Sequence, residues 1–233
     1  MLLAFTVSLV DQFSRHGKRR ILAESRAARP CRCDGRNNVR YALVSMTIMI
    51  AGLVVFLGIH VVPMLPAFRG NLVARLGEGR YKGLFSLGSF AGIALIIAGY
   101  MMAERGPQLF SPSPWAIAIA PYAIPVAFVL FVAANMPAHL RQALKHPMLI
   151  GLLIWSTVHL FANGDLRGTV LFGAFLAYAI VDLVSAIGRH AVRAFEPKAR
   201  GDAIAIVAGI VVALLFMIFH RVLFGARVVP FGI

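Results

Sequence analysis

Acidic residues are scarce in this sequence: nine Asp and Glu stand against 23 Lys and Arg in 233 residues, a formal net charge of +14. So few carboxylates argue against a transporter, which needs charged groups strung across the membrane, and only Asp182 falls deep inside an apolar stretch. Cysteine is nearly missing too. Cys31 and Cys33 share one polar tract, which makes no disulfide framework and, without a second ligand pair, no strong metal signal. No C-x-x-C-H occurs, which excludes covalent c-type haem attachment. What the chain has in abundance is apolar residues, 60% of the total with a mean hydropathy of +0.81, against about 45–50% in soluble domains. High hydropathy with a strong positive charge fits a polytopic membrane protein with short basic loops. It does not fit a nucleic-acid binder, because the basic residues share no face with polar helices.

A spanning helix needs about 20 mainly apolar residues. Six stretches meet or approach this: Met46–Leu65, Leu84–Ala103, Trp115–Asn135, Pro147–Asn163, Thr169–Gly188 and Ala203–Phe224. The fold expected is therefore all-α, a polytopic transmembrane bundle of about six spans. Gly88 and Gly92 form a G-x-x-x-G pair that lets another helix come close. Pro121 and Pro125 are expected to kink the third span. The connections after spans one, three and five hold Arg69, Arg75, Arg80, Lys82, Arg141, Lys145, Arg189, Arg193, Lys198 and Arg200. The opposite side, from residue 46 on, has Arg105, Arg167, Arg221 and Arg227. The positive-inside rule places the first set in the cytoplasm.

The first forty-five residues conflict with that orientation, since they would carry Arg15, Lys18, Arg19, Arg20, Arg26, Arg29, Arg32, Arg36 and Arg40 to the outer face. Ser14–Arg40 has little hydrophobic periodicity. The opening MLLAFTVSLV lacks a preceding basic region and a following A-x-A-like site. The expectation is a start at Met46, with residues 1–45 a misassigned extension. A disordered basic tail is the alternative.

Ionisable groups at membrane depth are functional candidates by default. Here they are His60, His159, Asp182 and His220, with His139 and His146 at boundaries. On a helical wheel of the fourth span, Gly151, Trp155, His159, Leu152, Asn163 and Ser156 fall on one half, which should face the bundle. The other half, with Leu149, Leu153, Ile154 and Phe161, should face lipid. His146 lies about 19 Å along the axis from His159, too far for both to grip one planar ligand. Helix rise places His60 about 7 Å and Asp182 about 6 Å to the cytoplasmic side of their span centres, with His159 about 5 Å and His220 about 10 Å to the outer side. His60 and His159 are nearest the midplane, with an offset of about 11 Å that tilt can shrink. Two imidazoles from different helices can hold the iron of a non-covalent haem b. Asp182 either accepts the Nδ1–H of His60 or pairs with Arg189. His220-Arg221 reads as interfacial.

Three strings carry a resemblance: LVARLGEGRYKGLFSLGSFAGIALIIAGY from Leu72 to Tyr100, KHPMLIGLLIWSTVHLFANGD ending at Asp165, and LFGAFLAYAIVDLVS from Leu171. The chain resembles the NnrU family of bacterial integral membrane proteins over about Met46 to Arg189, with residues 46–233 as an NnrU-like transmembrane domain. The resemblance implies a link to nitric oxide and denitrification metabolism. It also implies kinship with 15-cis-zeta-carotene isomerase, a haem b protein that shares the domain. That kinship suggests His60 and His159 as haem ligands, with Trp155 and Asp182 supporting them and His146 a rival ligand.

Two function classes follow. One is a haem-dependent isomerase or redox protein that works with membrane redox partners. The other is a non-enzymatic accessory or assembly protein of a respiratory complex, using glycine-rich faces such as Gly88 and Gly92. No catalytic residue is assigned.

Overall fold

In hydrocarbon each peptide group must find its partner within the protein, so apolar stretches of this length fold as helices. A computed structural model describes residues 35–192 and 194–224. It contains α1 (Gly35–Val61), a 3-10 turn (Val62–Met64), α2 (Pro66–Leu76), α3 (Glu78–Met102), α4 (Pro114–Ala133), α5 (His139–Leu144), α6 (Pro147–Asn163), α7 (Leu166–Gly188) and α8 (Ala199–Phe224). Among the described residues the only strand-like pairing is an isolated bridge between Gln108 and Asp165. Five helices, α1, α3, α4, α7 and α8, are long and apolar enough to cross a membrane. The sixth expected span, α6, has 17 residues, the lower limit for spanning.

Residues 1–34, and with them Cys31, Cys33 and most of the expected extension, lie outside the described residues. The reading of residues 1–45 as a disordered tail does not hold for Gly35–Ser45, which form the opening turns of α1 and run through Met46 without a break. The hydroxyls there are satisfied within the helix: Ser45 Oγ donates to the Tyr41 carbonyl at 2.8 Å and Thr47 Oγ1 to the Leu43 carbonyl at 2.8 Å. Such back-bonding lets a polar side chain sit in an apolar helix without a partner elsewhere.

The long helices pack as an up-and-down bundle. Glycine sets a close crossing between α1 and α3. A Cβ on Gly92 would lie 2.8 Å from the Phe56 backbone nitrogen, and one on Gly52 would lie 2.9 Å from the Gly92 carbonyl. Gly99 meets the Met49 backbone in the same way, and Gly88 meets the Ile59 side chain. The G-x-x-x-G pair is thus used inside the chain. Met49, Leu53, Ile96 and Tyr100 from this crossing join Leu171, Phe172 and Phe175 of α7 in one buried cluster. On the other flank, Gly151 of α6 approaches the Ala127 carbonyl of α4, and Gly209 of α8 approaches the Val129 backbone. The periphery is apolar: Val54, Leu87, Phe90, Val184, Val207 and Val222 are each at least 60% exposed. That surface suits lipid and would be untenable in water at this extent.

Of the half of α6 expected to face lipid, Phe161 is exposed and Leu149, Ile150, Leu153, Ile154, Thr157 and Leu160 are half-buried. The partial cover comes from position: α6 lies between α4 and α7, both of which pack along it. Pro121 and Pro125 sit inside a continuous α4.

Candidate functional site

The bundle holds a half-open cavity of about 330 Å³ with walls from all six long helices, Phe56, Tyr100, Phe128, Trp155, Phe175 and Phe216 among them. Its polar side chains include His159 and Asn163 of α6 and His220 of α8. This volume lies at the low end of the range for ligand sites, about 300–1,000 Å³, and the mostly apolar wall with few polar groups is what such sites have in common.

His159 is held from several sides. Its Nδ1 donates to the Trp155 carbonyl at 2.9 Å; a carbonyl offers no proton, so the hydrogen must be on Nδ1. Nε2 is then the nitrogen left for a ligand, and a fixed Nδ1–H is the arrangement that orients metal-binding histidines. The ring also lies against Trp155, with centroids 4.9 Å apart, and against Phe172 at 4.9 Å. The expected placing of Trp155 and His159 on the inward side of their helix is what the cavity lining contains.

His60 has the same local arrangement in a different place. Its Nδ1 donates to the Phe56 carbonyl at 2.7 Å. The ring packs on Phe56 (4.3 Å), Phe85 (5.1 Å) and Tyr178 (6.4 Å). His60 is not among the cavity-lining residues, although Phe56 is. The expected His60–His159 pair is therefore not brought together around one space, because His60 lies near the end of α1 and His159 near the opposite end of the bundle. His220, expected at the interface, also lines the cavity with His159 and packs on Phe224 at 5.1 Å.

Asp182 does not orient His60, whose Nδ1 is engaged by its own helix. It accepts from the Tyr178 hydroxyl at 2.9 Å and lies 3.6 Å from Arg189. Arg189 in turn donates to the Pro63 carbonyl at 2.8 Å, joining α7 to the turn after α1. His146 is the N-cap of α6, just before Pro147, and lies at the far end of that helix from His159. His139 is also structural: its Nδ1 and backbone nitrogen meet the Asp202 carboxylate at 2.7 and 3.1 Å, and Leu140 N donates to the same group at 3.0 Å. The carboxylate thus caps α5.

The end of the bundle nearest His159 is closed by the N-G-D turn, with a role for Arg167 that the sequence reading missed. Gly164 adopts φ +74° and ends α6, and Asp165 accepts from Gly168 N at 2.7 Å to begin α7. Asn163 Nδ2 donates to the His159 carbonyl at 2.6 Å, and Gln108 Nε2 donates to the Asn163 carbonyl at 2.7 Å. Arg167, only 9% exposed, donates to the Tyr100 and Ala103 carbonyls at 2.9 and 2.8 Å. Its guanidinium carbon lies 4.1 Å from the Tyr100 ring centroid. The cation thus satisfies carbonyls at the C-terminus of α3, where helices leave acceptors unpaired. The one available signal was its place two residues after the turn.

Among the described residues no three His, Cys, Asp or Glu side chains cluster as a metal cage. A metal held in this cavity would have to bring most of its own ligands, as a porphyrin does. The imidazoles and aromatic walls suit haem b in donor type and polarity. No curated protein and no solved structure matches the chain. Residues 48–228 match the family model described as NnrU protein, past the Arg189 at which the resemblance was expected to end, and the chain belongs to the NnrU family.

Proposed function

We propose that this membrane protein binds haem b in the six-helix cavity, with His159 as an axial ligand. The observation that carries the reading is His159 itself, a cavity-lining imidazole whose Nδ1 is fixed on the Trp155 carbonyl while Nε2 is left for a metal. Trp155 and Phe172 hold the plane of the ring, and Asn163 fastens the end of α6 beneath it. Bound haem would supply an iron able to take nitric oxide or to act on a polyene, the two chemistries that the family resemblance suggests. The absorption spectrum and pyridine haemochrome of detergent-purified protein, expressed with ample haem, test this. A Soret band with about one haem per chain is expected; its absence ends the reading.

The location proposed is the bacterial cytoplasmic membrane, with the connections around Arg75, Arg141 and Lys198 inside. With Cys31 and Cys33 replaced by serine, Arg75→Cys should be labelled only after the membrane is opened and Gln108→Cys in intact spheroplasts. The reverse pattern would invert the topology. The accessory-protein reading is weaker, because Gly88 and Gly92, the faces it relied on for a partner helix, are packed within the chain.

A further inference from the structure

We infer that α2 lies along the membrane surface, and that Arg75 and Arg80, on either side of the Gly77 turn, hold the phosphate groups of anionic lipid. The inference is independent of the haem reading. Its basis is the run between α1 and α3. At about 1.5 Å per residue, the 11 residues of α2 reach about 16 Å, roughly half of a hydrocarbon core about 30 Å thick. The helix therefore cannot cross, and it stands between α1 and α3, both of which can. It has to sit at the surface where α1 leaves the bilayer. The Pro63 carbonyl, in the turn before it, accepts from Arg189 at 2.8 Å, which ties the start of this run to α7.

The faces of α2 suit that place. Leu72, Val73 and Leu76 are half-buried, and Arg69 lies over the Tyr81 ring at 5.7 Å, so this side is turned to α3. Leu65 and Phe68, by contrast, are each 51% exposed. Large apolar side chains so exposed beside a spanning helix belong in the acyl boundary, the level at which interfacial helices bury their apolar face. Arg75 stands only about 20° around the axis from Phe68, so its long stem reaches from that level up to the phosphates.

Charge selects the headgroup. Residues 65–82 hold Arg69, Arg75, Arg80 and Lys82 against a single carboxylate, Glu78, and Lys82 takes that at 2.8 Å. Arg75 and Arg80 are exposed, and among the described residues neither has an ion pair or a side-chain hydrogen bond. Guanidinium forks match phosphate oxygens. A lipid of net negative charge is favoured over a zwitterionic one, whose own ammonium competes for its phosphate.

Two measurements on the full chain test this. In the first, the protein is reconstituted in phosphatidylcholine with a trace of spin-labelled phosphatidylglycerol or spin-labelled phosphatidylcholine. Electron paramagnetic resonance reads the share of each label held immobile. The wild type should favour the phosphatidylglycerol label. Arg75→Gln/Arg80→Gln, which leaves Arg69 on Tyr81, should lose most of that preference. Arg141→Gln/Lys145→Gln, which alters cations at the same end of the bundle, should keep it. No preference in the wild type, an unchanged preference in the first double variant, or an equal loss in the second overturns the inference. The second measurement places the helix and does not need the arginine variants to fold. With Cys31 and Cys33 replaced by serine, a spin label at Phe68→Cys should be relaxed more by oxygen, which concentrates in lipid, than by a water-soluble nickel chelate. A label at Gly70→Cys, about 160° around the helix and with open space around its added Cβ, should show the reverse. Equal nickel access at both positions overturns the surface placement.

Discussion

His60 and His159 are two versions of the same local design. Each sits in an apolar helix, each donates Nδ1–H to the carbonyl four residues back, at 2.7 and 2.9 Å, and each has an aromatic neighbour at that preceding position. Their surroundings then diverge. Around His60 the space is taken by Phe85 and Tyr178, and Asp182 and Arg189 serve each other and the Pro63 turn. Around His159 there is an open volume and a second imidazole. The difference teaches that a buried histidine's backbone bond says nothing of its task. What decides is whether the remaining nitrogen meets packed rings or a cavity.

The largest effect that would break this comparison is loss of the cofactor. His159→Ala should abolish haem binding, measured as the Soret absorbance per chain, whereas His60→Ala should retain most of it. Equal loss in both would show that the two sites are not distinct. Next in size is the α1–α3 crossing that builds the His60 side. Gly92→Leu puts carbon against the Phe56 backbone, and because backbone cannot swing aside as a side chain can, overpacking here should cost about 3 kcal/mol or more. Thermal unfolding in detergent would read it. Gly173→Leu, with nothing within 4 Å of its added Cβ, is the control and should melt close to wild type.

Much of this was legible in the sequence. Helix number and order follow from apolar length, and the inward side of α6 follows from spacing, because Trp155, His159 and Asn163 lie within one stripe of a 3.6-residue repeat. The turn at Gly164 was legible from its Asn-Gly-Asp text. Pairing across helices was not. Depth along a span says how far His60 lies from the midplane but not which neighbour it faces, so depth alone pairs it equally with His159 and with Asp182. His220 was read as interfacial because it stands about 10 Å from the centre of its span. That depth says nothing of the cavity it also lines, whose walls come from six helices at once.

A smaller effect is expected at the closed end. Arg167→Met keeps the length of the side chain but leaves the Tyr100 and Ala103 carbonyls of α3 without their donor. Buried acceptors stripped of partners cost about 1–3 kcal/mol. The removed guanidinium also had a buried Nε with no partner, and its loss offsets part of that cost. We expect about 2 kcal/mol of destabilisation, and a drop in haem retention at elevated temperature, since the same segment carries Asn163 and so the end of α6. A change in melting without a change in haem release would separate the clasp from the site.

The smallest effect should come from Asp182, and it is the most discriminating. Asp182→Asn keeps an acceptor for Tyr178 and removes only the charge facing Arg189, a pair 17% and 28% exposed at 3.6 Å. Such a long and partly exposed contact contributes at most about 1 kcal/mol, and Arg189 keeps its bonds to the Pro63 and Ser185 carbonyls. Stability should therefore shift slightly, and the haem spectrum should not shift at all. Had Asp182 fixed the tautomer of a ligating His60, as its depth alone suggested, the same substitution would alter the iron's ligand field. A spectral change in Asp182→Asn, with stability preserved, would return His60 to the cofactor site and undo the contrast between the two ends of the bundle.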